Sequence, residues 1–283
     1  MIGIIGGTGV YALEGLHDVH ALEVDTPFGA PSDALSIGSL GRAKLVFIPR
    51  HGRGHRLLPS EIPYRANIFA LKQLGVEWLI SVSAVGSMRE EIHPGEMVIP
   101  TQYIDRTVGR AGTFFGDGIA AHAPMGDPTC VPLGEHLHAS AEACGVTVHM
   151  GGTYLCIEGP AFSTRAESNL YRQWGVDVIG MTAMPEARLA REAEIHYATL
   201  ALVTDYDCWH QTEEDVNVAG VVAILQQNAA NVRRLLAHAA PSLPTTTPPC
   251  SCARAMAHAF ISDKAAIPKE RAQALSAIIG KYV

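Results

Sequence analysis

A cluster of basic side chains is the first candidate for chemistry in this sequence. Five cationic or cationisable residues stand within the seven positions from Arg50 to Arg56, in a chain whose formal net charge is −7. A planar guanidinium beside an imidazole suits a phosphate or a carboxylate, since both groups donate hydrogen bonds to its oxygens. A solvated surface loop has the same composition. The cluster follows a predicted strand, and ligands of open α/β sheets bind beyond the carboxyl ends of strands, which favours an anion site.

A glycine-rich turn follows the first predicted strand, from Gly6 to Gly9. Residues 7–12 also satisfy the G-x-G-x-x-G/A dinucleotide fingerprint, with Asp25 near the expected acidic position. That fingerprint needs a full helix before the next parallel strand, and the interrupted stretch 11–16 has room for only about one or two helical turns. We therefore predict no nicotinamide site. The simpler interpretation is that backbone N–H groups and the Thr8 hydroxyl approach an anion.

Two further predicted strands also lead into small or hydroxyl-bearing residues. One passes from Ser81 to Ser87, and the other ends in the run from Gly180 to Thr182. Each offers backbone N–H groups and hydroxyls to an oxyanion, although each signal is weak alone. Together with the basic cluster and the glycine turn, they place donors of the kind that bind phosphate at four strand ends.

Two carboxylates, Asp205 and Asp207, follow the last long apolar run. In an extended stretch, residues two apart point the same way, so the pair would share one face. Three interpretations are open: a D-x-D metal site for nucleotide-sugar transfer, two acceptors that bind and protonate a basic heterocycle, or a helix N-cap with a solvated neighbour. Combined with the four anion-binding strand ends, the acids suggest one site for an anion and a nitrogen base, as a nucleoside and phosphate would need.

Six cysteines in a chain of this size do not indicate a disulfide scaffold. Four are isolated and are predicted to be small buried hydrophobes: Cys130, Cys144, Cys156 and Cys208. Cys250 and Cys252 are close enough to form a strained, reducible bridge, and we expect that bridge in oxidised protein. A metal site at this pair would need further ligands, and neither a CxxC pair nor a histidine stands at zinc spacing. The sequence therefore predicts no metal site.

Apolar runs rich in β-branched residues alternate with helical patterns along most of the chain. The predicted strands are Ile2–Ile5, Leu45–Pro49, Trp78–Ser83, Glu96–Ile99, Val146–Ile157, Val176–Met181 and His196–Thr204. The predicted helices are Tyr64–Leu74, Leu133–Ala143, Ser163–Trp174, Pro185–Ala193 and Val218–Ala239. Several strands are apolar on both faces, which indicates a sheet covered on both sides. The fold class is therefore α/β, a sandwich with a mixed, largely parallel central sheet flanked by helices.

Length and composition indicate one large, densely packed domain. The 283 residues are 48 % hydrophobic and only 17 % charged. A net charge of −7 excludes a nucleic-acid footprint along the whole chain, and the longest apolar runs are too short to span a membrane. The N-terminus lacks the basic region of a signal peptide, so we expect a cytoplasmic protein.

A proline- and threonine-rich stretch, residues 241–249, is predicted to end the preceding helix. It divides a domain of residues 1–240 from a segment of residues 241–283 that ends in an amphipathic helix. The part of this segment after the connector is too short for a core of its own, so we expect an appendage of the same domain. A packing role and a role in assembly or in lining a pocket are both open.

The motifs together resemble one enzyme family, the 5′-methylthioadenosine phosphorylases of the trimeric purine nucleoside phosphorylase superfamily. The matching segments are residues 5–9, 25–29, 31–34, 50–53, 86–91, 157–160, 162–163, 165–168, 181–182, 185–186 and 204–209. The resemblance runs in order from Ile5 to about Ala240. It is weak beyond Pro241, apart from the Cys-x-Cys pair, which is similar to one found in some heat-stable members.

This resemblance implies a phosphorylase fold with a central mixed sheet that is partly barrel-like. The enzyme, a pentosyltransferase, would convert methylthioadenosine and phosphate to adenine and 5-methylthioribose 1-phosphate, with phosphate as co-substrate and neither cofactor nor metal. It would form a homotrimer or a hexamer built from trimers. Relatives that prefer 6-oxopurines, such as methylthioinosine, inosine or guanosine, have asparagine near the position of Asp205, so an aspartate favours 6-aminopurines. A non-catalytic nucleotide-binding module and a D-x-D transferase are the alternatives from other classes.

Site residues carry over by position from the same resemblance. Six would bind phosphate: Thr8, Arg50, His51, Ser83, Ala84 and Thr182. Four would contact the ribose and the base, with Asp205 as the catalytic acid: Met181, Phe162, Asp205 and Asp207. Four more would shape the base and methylthio ends of the pocket: Ser163, Val218, Val221 and Val222. His122 matches a histidine that reaches the 5′ end of the substrate from a neighbouring subunit.

Overall fold

A computed structural model describes residues 1–210, 218–244 and 250–283. Side chains are described at these positions except at Thr8, Val218, Ala219, Val221, Ala223 and Gln227. The strands within these ranges are β1 (Ile2–Gly6), β2 (His17–Leu22), β3 (Leu35–Leu40), β4 (Ala43–Pro49), β5 (Trp78–Ser87), β6 (Met97–Ile99), β7 (Gln102–Arg106), β8 (Val148–Met150), β9 (Thr153–Ile157), β10 (Val178–Gly180) and β11 (His196–Asp205). The α-helices are α1 (Tyr64–Gln73), α2 (Val131–Ala143), α3 (Arg165–Gln173), α4 (Ala183–Glu192), α5 (Val218–Ser242), α6 (Lys269–Ala274) and α7 (Ser276–Ile279).

Four parallel strands form the centre of the sheet, in the order β4-β1-β5-β11. Beyond β4 the sheet continues antiparallel through β3 and β2. On the other side of β1, the sheet branches at β5, which pairs with both β10 and β11. β10 leads to β9 and β7, whereas β11 leads to β6 and β8. The mixed central sheet predicted from the sequence is confirmed.

The branch leaves a gap along one edge of β5. β1 pairs with β5 as far as Ser81, and β10 pairs with β5 from Gly86 onward. β11 runs along the opposite edge. Among the described strands, none pairs with residues 82–85 on the first edge. This notch, the open edge of β5 between β1 and β10, contains Ser83 and Ala84.

Helices cover both faces of the sheet, and successive residues of one strand pack against the helices on opposite faces. Ile5 of β1 packs in a core with residues of α1, α4 and α7, whereas Ile4 packs in a second core with residues of α2 and α5. Side chains alternate between the faces of a strand, so a strand that is apolar throughout supplies both cores. β11 is buried up to Thr204 for the same reason. The predicted α/β sandwich is confirmed.

The structure differs from the prediction at the apolar stretch from Val146 to Ile157. Two strands, β8 and β9, form there instead of one. Gly151 and Gly152 adopt φ values of 103° and 87° and turn the chain between them. The sequence pattern also missed β2, β3 and β7. Most side chains of β2 are exposed, so no buried face imposes an alternating pattern on it.

Helix α5 continues through Pro241 to Ser242, so the prediction that it ends before the proline is wrong. A proline in the last turn removes a single backbone hydrogen bond. Its own carbonyl, which has no partner within the helix, accepts from Arg42 Nε at 2.8 Å. Residues 245–249 of the predicted connector lie outside the described residues.

The C-terminal segment packs against the main sheet. Met256, Leu275 and Ile279 belong to the same core as α1 and α4. The division into residues 1–240 and 241–283 stays a prediction. None of the helices in the described ranges is both long enough and apolar enough to cross a bilayer.

Candidate active site

The strand ends predicted to share a site lie side by side. Gly6 at the end of β1 pairs with Pro49 at the end of β4, which brings the glycine turn next to the basic cluster. Ile5 pairs with Ser81 of β5 on the other side, just before the notch. The strand that follows the glycine turn, β2, pairs antiparallel with β3 rather than parallel with β1. The strands predicted to bind an anion are therefore adjacent, although anion binding itself stays a prediction, and the sheet lacks the crossover that a dinucleotide fingerprint requires.

Arg50 follows β4 and joins three strand ends to helix α4. Its side chain is 2 % exposed. Nε and Nη2 donate to the two carboxylate oxygens of Glu186 at 2.9 and 3.1 Å, and Nη1 donates to the Val82 carbonyl at 2.8 Å. Nη2 also donates to Ser81 Oγ at 2.7 Å. The guanidinium is thus held by contacts within the protein, and its direct contact with phosphate stays a prediction.

His51, the next residue, is held in one tautomer. Its Nδ1 donates to the Leu57 carbonyl at 2.8 Å, because a carbonyl can only accept. Burial, assisted by the nearby Arg50 charge, lowers the pKa of His51 to about 4. The ring is therefore neutral near pH 7, and Nε2 is a hydrogen-bond acceptor. Such a ring contacts phosphate by accepting from a protonated phosphate oxygen or by taking up a proton together with the anion.

Hydroxyl groups gather at the notch. Ser83 on β5 and Thr182 after β10 are both buried. Tyr154 Oη on β9 lies beside Ser83 and the backbone of Thr182, and a Cβ at Gly180 would collide with it. Neither Ser83 Oγ nor Tyr154 Oη makes a hydrogen bond of good geometry with another described residue. The two hydroxyls lie close to each other, and a polar ligand at the notch would supply the well-aligned hydrogen bonds that both lack.

Met181 is held in place by an arginine and a glycine. Arg110 Nη1 donates to the carbonyls of Met181 and Met184 at 2.6 and 2.7 Å, and Nη2 donates to the Glu158 carbonyl at 2.6 Å. Gly159 has a φ of 65°, and a Cβ there would lie 2.6 Å from Met181 Sδ. Glycine suits both the left-handed backbone and this close approach. The loop after β9 and the turn after β10 are thereby locked together.

Asp205 and Asp207 lie where β11 ends against β5. Asp205 Oδ1 accepts from the Asp207 backbone N–H at 2.8 Å, and Asp205 Oδ2 is 2.7 Å from Thr204 Oγ1. A Cβ at Gly86 of β5 would lie 2.8 Å from Asp205 Oδ1, so glycine is what lets the two segments pack this closely. Residues 206–210 form a turn rather than a helix, which removes the N-cap interpretation of the acid pair.

The two carboxyl groups have different hydrogen-bond partners. Burial raises the pKa of both, and that of Asp207 reaches about 6. The neighbouring Asp205 carboxylate adds to the rise at Asp207. Asp207 Oδ2 is buried and makes no hydrogen bond of good geometry with another described residue, although the Ser168 hydroxyl and the Cys208 backbone N–H lie close enough to the carboxyl to oppose the rise in its pKa. An acid that is partly protonated near neutral pH and has an oxygen without a well-aligned hydrogen bond can exchange a proton with a bound base.

Residues predicted to surround the base differ in exposure. Ser163 packs on the turn after β11, where its carbonyl accepts from the Cys208 thiol at 3.3 Å. Phe162 is 43 % exposed and Val222 on α5 is 45 % exposed, so both apolar side chains are open to solvent in a single chain. A bound nucleoside or a neighbouring subunit would remove that apolar surface from water.

The remaining predicted residues lie outside the part of the structure just described or at its surface. His122 is exposed, and its backbone N–H donates to the Ala259 carbonyl at 2.9 Å. Three predicted side chains are outside the described residues: Thr8, Val218 and Val221. Their contacts with substrate stay predictions.

Three residues that organise the site were not assigned to it from the sequence: Arg110, Tyr154 and Glu186. Glu186 lies in a segment that matches the family, which is the signal that could have found it. Arg110 and Tyr154 gave no signal, because their roles depend on which strand ends meet in space. Sequence spacing alone does not contain that information.

Comparison with known families supports the motifs. The model of the phosphorylase superfamily matches residues 1–240. The chain belongs to the phosphorylase superfamily. The family predicted from the sequence motifs is therefore confirmed, and the fold described above is the fold of that family.

Individual relatives in this superfamily are similar over the full length of the chain. The S-methyl-5'-thioadenosine phosphorylase of Geobacter sulfurreducens is 58 % identical over 284 residues, which cover 100 % of this chain and 99 % of that protein. The enzyme of the same name from Koribacter versatilis is 52 % identical, with 99 % and 96 % covered. A crystal structure of methylthioadenosine phosphorylase from an antarctic soil metagenomic library has a TM-score of 0.94 and 46 % identity, covering 98 % of each chain. The Schistosoma mansoni methylthioadenosine phosphorylase in complex with adenine has a TM-score of 0.81 and 38 % identity, covering 84 % of this chain and 90 % of that one.

Proposed function

We propose that this chain catalyses the reversible phosphorolysis of S-methyl-5'-thioadenosine, a pentosyl transfer that yields adenine and 5-methylthioribose 1-phosphate. The acid pair after β11 carries the proposal. A purine leaving group needs a proton, and a buried acid with a raised pKa can supply one. The two relatives at 58 % and 52 % identity bear the name of this activity, which supports it further.

The proton on the leaving base is the first chemical requirement. A purine anion leaves poorly, and protonation at N7 by a positioned acid accelerates such steps by roughly 10²–10⁴-fold. The resemblance assigns the proton to Asp205, whose carboxylate oxygens both lie within hydrogen-bond distance of neighbours in its own turn. Asp207 has the pKa of about 6 and an oxygen that makes no hydrogen bond of good geometry among the described residues. We therefore assign the N7 proton to the pair, with Asp207 as the member that holds it near neutral pH.

Phosphate is the nucleophile and the source of electrostatic stabilisation. The sugar passes through an oxocarbenium-like state, as in glycoside hydrolysis. A phosphate bound at the notch by Ser83, Ala84 and Thr182, beside His51, would place its negative charge below C1′ and then attack it. The chemistry requires phosphate as co-substrate and neither cofactor nor metal ion.

Recognition of position 6 separates the proposed substrate from the alternative, a 6-oxopurine nucleoside such as methylthioinosine, inosine or guanosine. An adenine amino group donates at N6, and a carboxylate at Asp205 accepts from it. A 6-oxopurine presents an acceptor there, which a carboxylate repels. The acid pair thus favours the 6-aminopurine.

Phosphate-dependent release of adenine from methylthioadenosine tests the proposal. The same protein is assayed beside it with methylthioinosine, inosine and adenosine, with and without phosphate and with and without chelator. We expect fast turnover of methylthioadenosine in phosphate and no effect of the chelator. Preferred turnover of an oxo-nucleoside would establish the alternative, and inhibition by the chelator that added Mg²⁺ reverses would favour the D-x-D transferase.

Assembly is part of the proposal. We infer a homotrimer, or a hexamer of trimers, in which His122 reaches the 5′ end of a nucleoside held by the next subunit. Exposed Phe162 and Val222 support an incomplete site in the single chain. Light scattering on dilution, combined with activity, measures this directly, and a fully active monomer would contradict it. The cytoplasmic location expected from the sequence stays a prediction.

A further inference from the structure

The Cys-x-Cys pair near the C-terminus has two further neighbours. Cys130, just before α2, and His196, the first residue of β11, lie beside Cys250 and Cys252. One ligand atom from each of the four residues lies within 4.8 Å of the other three. The prediction that this pair lacks further metal ligands, and with it the argument against a metal site, is wrong. Sequence spacing could not reveal the cluster, because Cys130 and Cys250 are 120 positions apart.

The distances within this Cys3His cluster resemble the edges of a tetrahedron. Zinc binds thiolate at about 2.3 Å and imidazole nitrogen at about 2.0–2.1 Å, so its tetrahedral ligands stand about 3.5–3.8 Å apart. The sulfurs of Cys130 and Cys250 are 3.9 Å apart. His196 Nδ1 is 3.4 Å from the first sulfur and 3.3 Å from the second. An ion could therefore sit among these atoms without a large rearrangement of the backbone.

We propose that the Cys3His cluster binds one Zn²⁺ as a structural site. Three thiolates and one imidazole are a common ligand set of structural zinc. Among metals that prefer thiolates, the imidazole favours zinc over copper(I). Cys130, His196 and Cys252 are buried and Cys250 is half-buried, so four protein ligands close the site and leave no position for a reactive water.

The surroundings balance the charge of such a site. Zinc with three thiolates and a neutral imidazole carries a single net negative charge. Arg191 of α4 is buried and places Nη1 3.8 Å from Cys252 Sγ. Cys130 directly precedes α2, and the partial positive charge of a helix N-terminus favours a thiolate there. The Arg191 guanidinium therefore stabilises a thiolate at Cys252.

The site lies far from the proposed chemistry. His196 begins β11 and Asp205 ends it, and a strand of 10 residues spans about 30 Å. Cys250 and Cys252 begin the C-terminal segment, whose Ala259 carbonyl accepts from the His122 backbone. Zinc would therefore fasten this segment to α2 and β11 and would take no part in phosphorolysis.

A disulfide between two of the same sulfurs is the alternative to a metal site. All six cysteines are free thiols in the structure. A bridge between any two of the three clustered sulfurs would leave His196 Nδ1 without a part in the cluster, whereas this nitrogen lies against two sulfurs at once. A metal accounts for all four side chains, and a bridge accounts for two.

Metal analysis of the full-length chain tests the proposal. The protein is produced in zinc-supplemented medium, purified under reducing conditions without a metal-affinity tag, and analysed by elemental mass spectrometry. We expect about one zinc per chain. Thiol titration after denaturation in chelator should find all six cysteines reactive. Protein reconstituted with Co²⁺ should show the visible absorption and the sulfur-to-cobalt charge transfer of a tetrahedral thiolate site.

Three variants locate the metal. Cys252→Ser should reduce zinc from about one to below about 0.2 per chain after dialysis against a weak chelator, because one ligand is lost. Cys144→Ser is the matched control, since Cys144 is a half-buried thiol at the end of α2 outside the cluster, and it should keep the metal. His196→Cys replaces the imidazole by a fourth thiolate and should keep zinc while shifting the cobalt spectrum.

The metal content and the thiol count together distinguish a zinc site from a disulfide and from metal bound elsewhere. Zinc near one per chain that follows Cys252 and ignores Cys144 supports the site. Absence of zinc from reduced, reconstituted wild-type protein overturns it, whether or not the variants fold. Two missing thiols in metal-free protein would establish a disulfide instead, and equal zinc loss from Cys144→Ser would show that the metal is bound elsewhere.

Discussion

Two buried pairs of charged side chains lie near the same edge of the sheet and behave in opposite ways. Arg50 and Glu186 carry opposite charges and meet at 2.9 Å. Asp205 and Asp207 are both acids, and burial raises the pKa of both. The first pair compensates its own burial, whereas the second remains unfavourable until a proton or a donor arrives.

The difference separates residues that hold the site from residues that act in it. Glu186 accepts from Arg50 and also from Tyr197 Oη at 3.1 Å, so its carboxylate is fully engaged. Asp207 Oδ2 makes no hydrogen bond of good geometry among the described residues, and the nearby Ser168 hydroxyl does not prevent the rise in the pKa of Asp207. Self-compensated burial is typical of a structural frame, and uncompensated burial of an acid is typical of a group with a chemical task.

The largest expected effect is on turnover, and it tests whether Asp207 supplies the proton. Asp207→Asn should lower turnover of methylthioadenosine by roughly 10²–10⁴-fold, because the amide cannot give a proton to N7. Wild-type kcat/KM should fall as pH rises through the Asp207 pKa of about 6, since the protonated form is the active one. The variant should lack this fall. Steady-state kinetics from pH 5 to 9 at saturating phosphate measures both.

Asp18 provides the matched control for that substitution. It has a φ of 54°, close to the 52° of Asp207, but its side chain is 81 % exposed. Asp18→Asn should therefore leave turnover and its pH profile unchanged. An Asp207→Asn enzyme with the wild-type profile would show that another group delivers the proton.

The second prediction concerns the contribution of the buried Arg50–Glu186 ion pair to stability. Glu186→Gln should lower the free energy of unfolding by about 3–5 kcal/mol, because the buried Arg50 charge loses its carboxylate. Replacing both partners, as Arg50→Met with Glu186→Leu, should be less destabilising than the single change. Urea unfolding at one protein concentration measures the three proteins.

Surface charge supplies the control for the ion pair. Arg53 and Asp33 are 3.7 Å apart, and Arg53 is largely exposed, so Arg53→Ala should change stability by less than about 1 kcal/mol. Kinetics of Glu186→Gln and of a single Arg50→Met variant also test the predicted phosphate contact of Arg50. A KM for phosphate that rises far more in Arg50→Met than in Glu186→Gln would place the guanidinium on the anion.

The third prediction concerns stability against pH. A pKa of about 6 for Asp207 in the folded chain, against about 4 unfolded, means that the folded state binds the proton more tightly. The contribution of Asp207 to the free energy of unfolding should therefore decline as pH rises from about 4 to 6 and stay low above that. Asp207→Asn removes this decline and should be more stable than wild type at pH 8 by on the order of 2 kcal/mol. Equal pH dependence of unfolding in both proteins would contradict the raised pKa.

Sequence patterns predicted those elements whose burial leaves little choice. Two strands, β1 and β11, were predicted to within one residue of the observed bounds, because both are buried almost throughout. Rules for parallel sheets also placed Arg50 directly after β4 and Asp205 at the end of β11, whereas Ser83 and Ala84 lie inside β5 rather than at its end. What the sequence could not predict depends on contacts between distant segments.

Two features illustrate that limit. The notch at Ser83 exists because β1 leaves β5 before β10 joins it, a choice of partners that no local pattern encodes. The Cys3His cluster combines residues from α2, β11 and the C-terminal segment, so spacing rules for zinc ligands do not detect it. The turn at Gly151 was readable, since two adjacent glycines interrupt an apolar run, but the apolar signal dominated the prediction.

The last and smallest effect separates the two members of the acid pair. A 6-aminopurine donates from N6, and Asp205 is predicted to accept there, whereas a 6-oxopurine offers an acceptor that an amide N–H would satisfy. Asp205→Asn should therefore lower kcat/KM for methylthioadenosine and raise the relative rate with methylthioinosine. Unpaired polar groups in a tight site cost about 1–3 kcal/mol, so the ratio should move by roughly one to two decades.

Running both nucleosides with Asp205→Asn and Asp207→Asn distinguishes recognition from proton delivery. A residue that reads position 6 changes the ratio between the nucleosides, whereas a residue that only protonates N7 slows both, because N7 is common to them. If the Asp205 variant changes the ratio and the Asp207 variant does not, Asp205 recognises position 6 and Asp207 protonates N7. An unchanged ratio in the Asp205 variant would show that Asp205 does not read the base, and complete loss restored by Mg²⁺ would return the pair to a metal site.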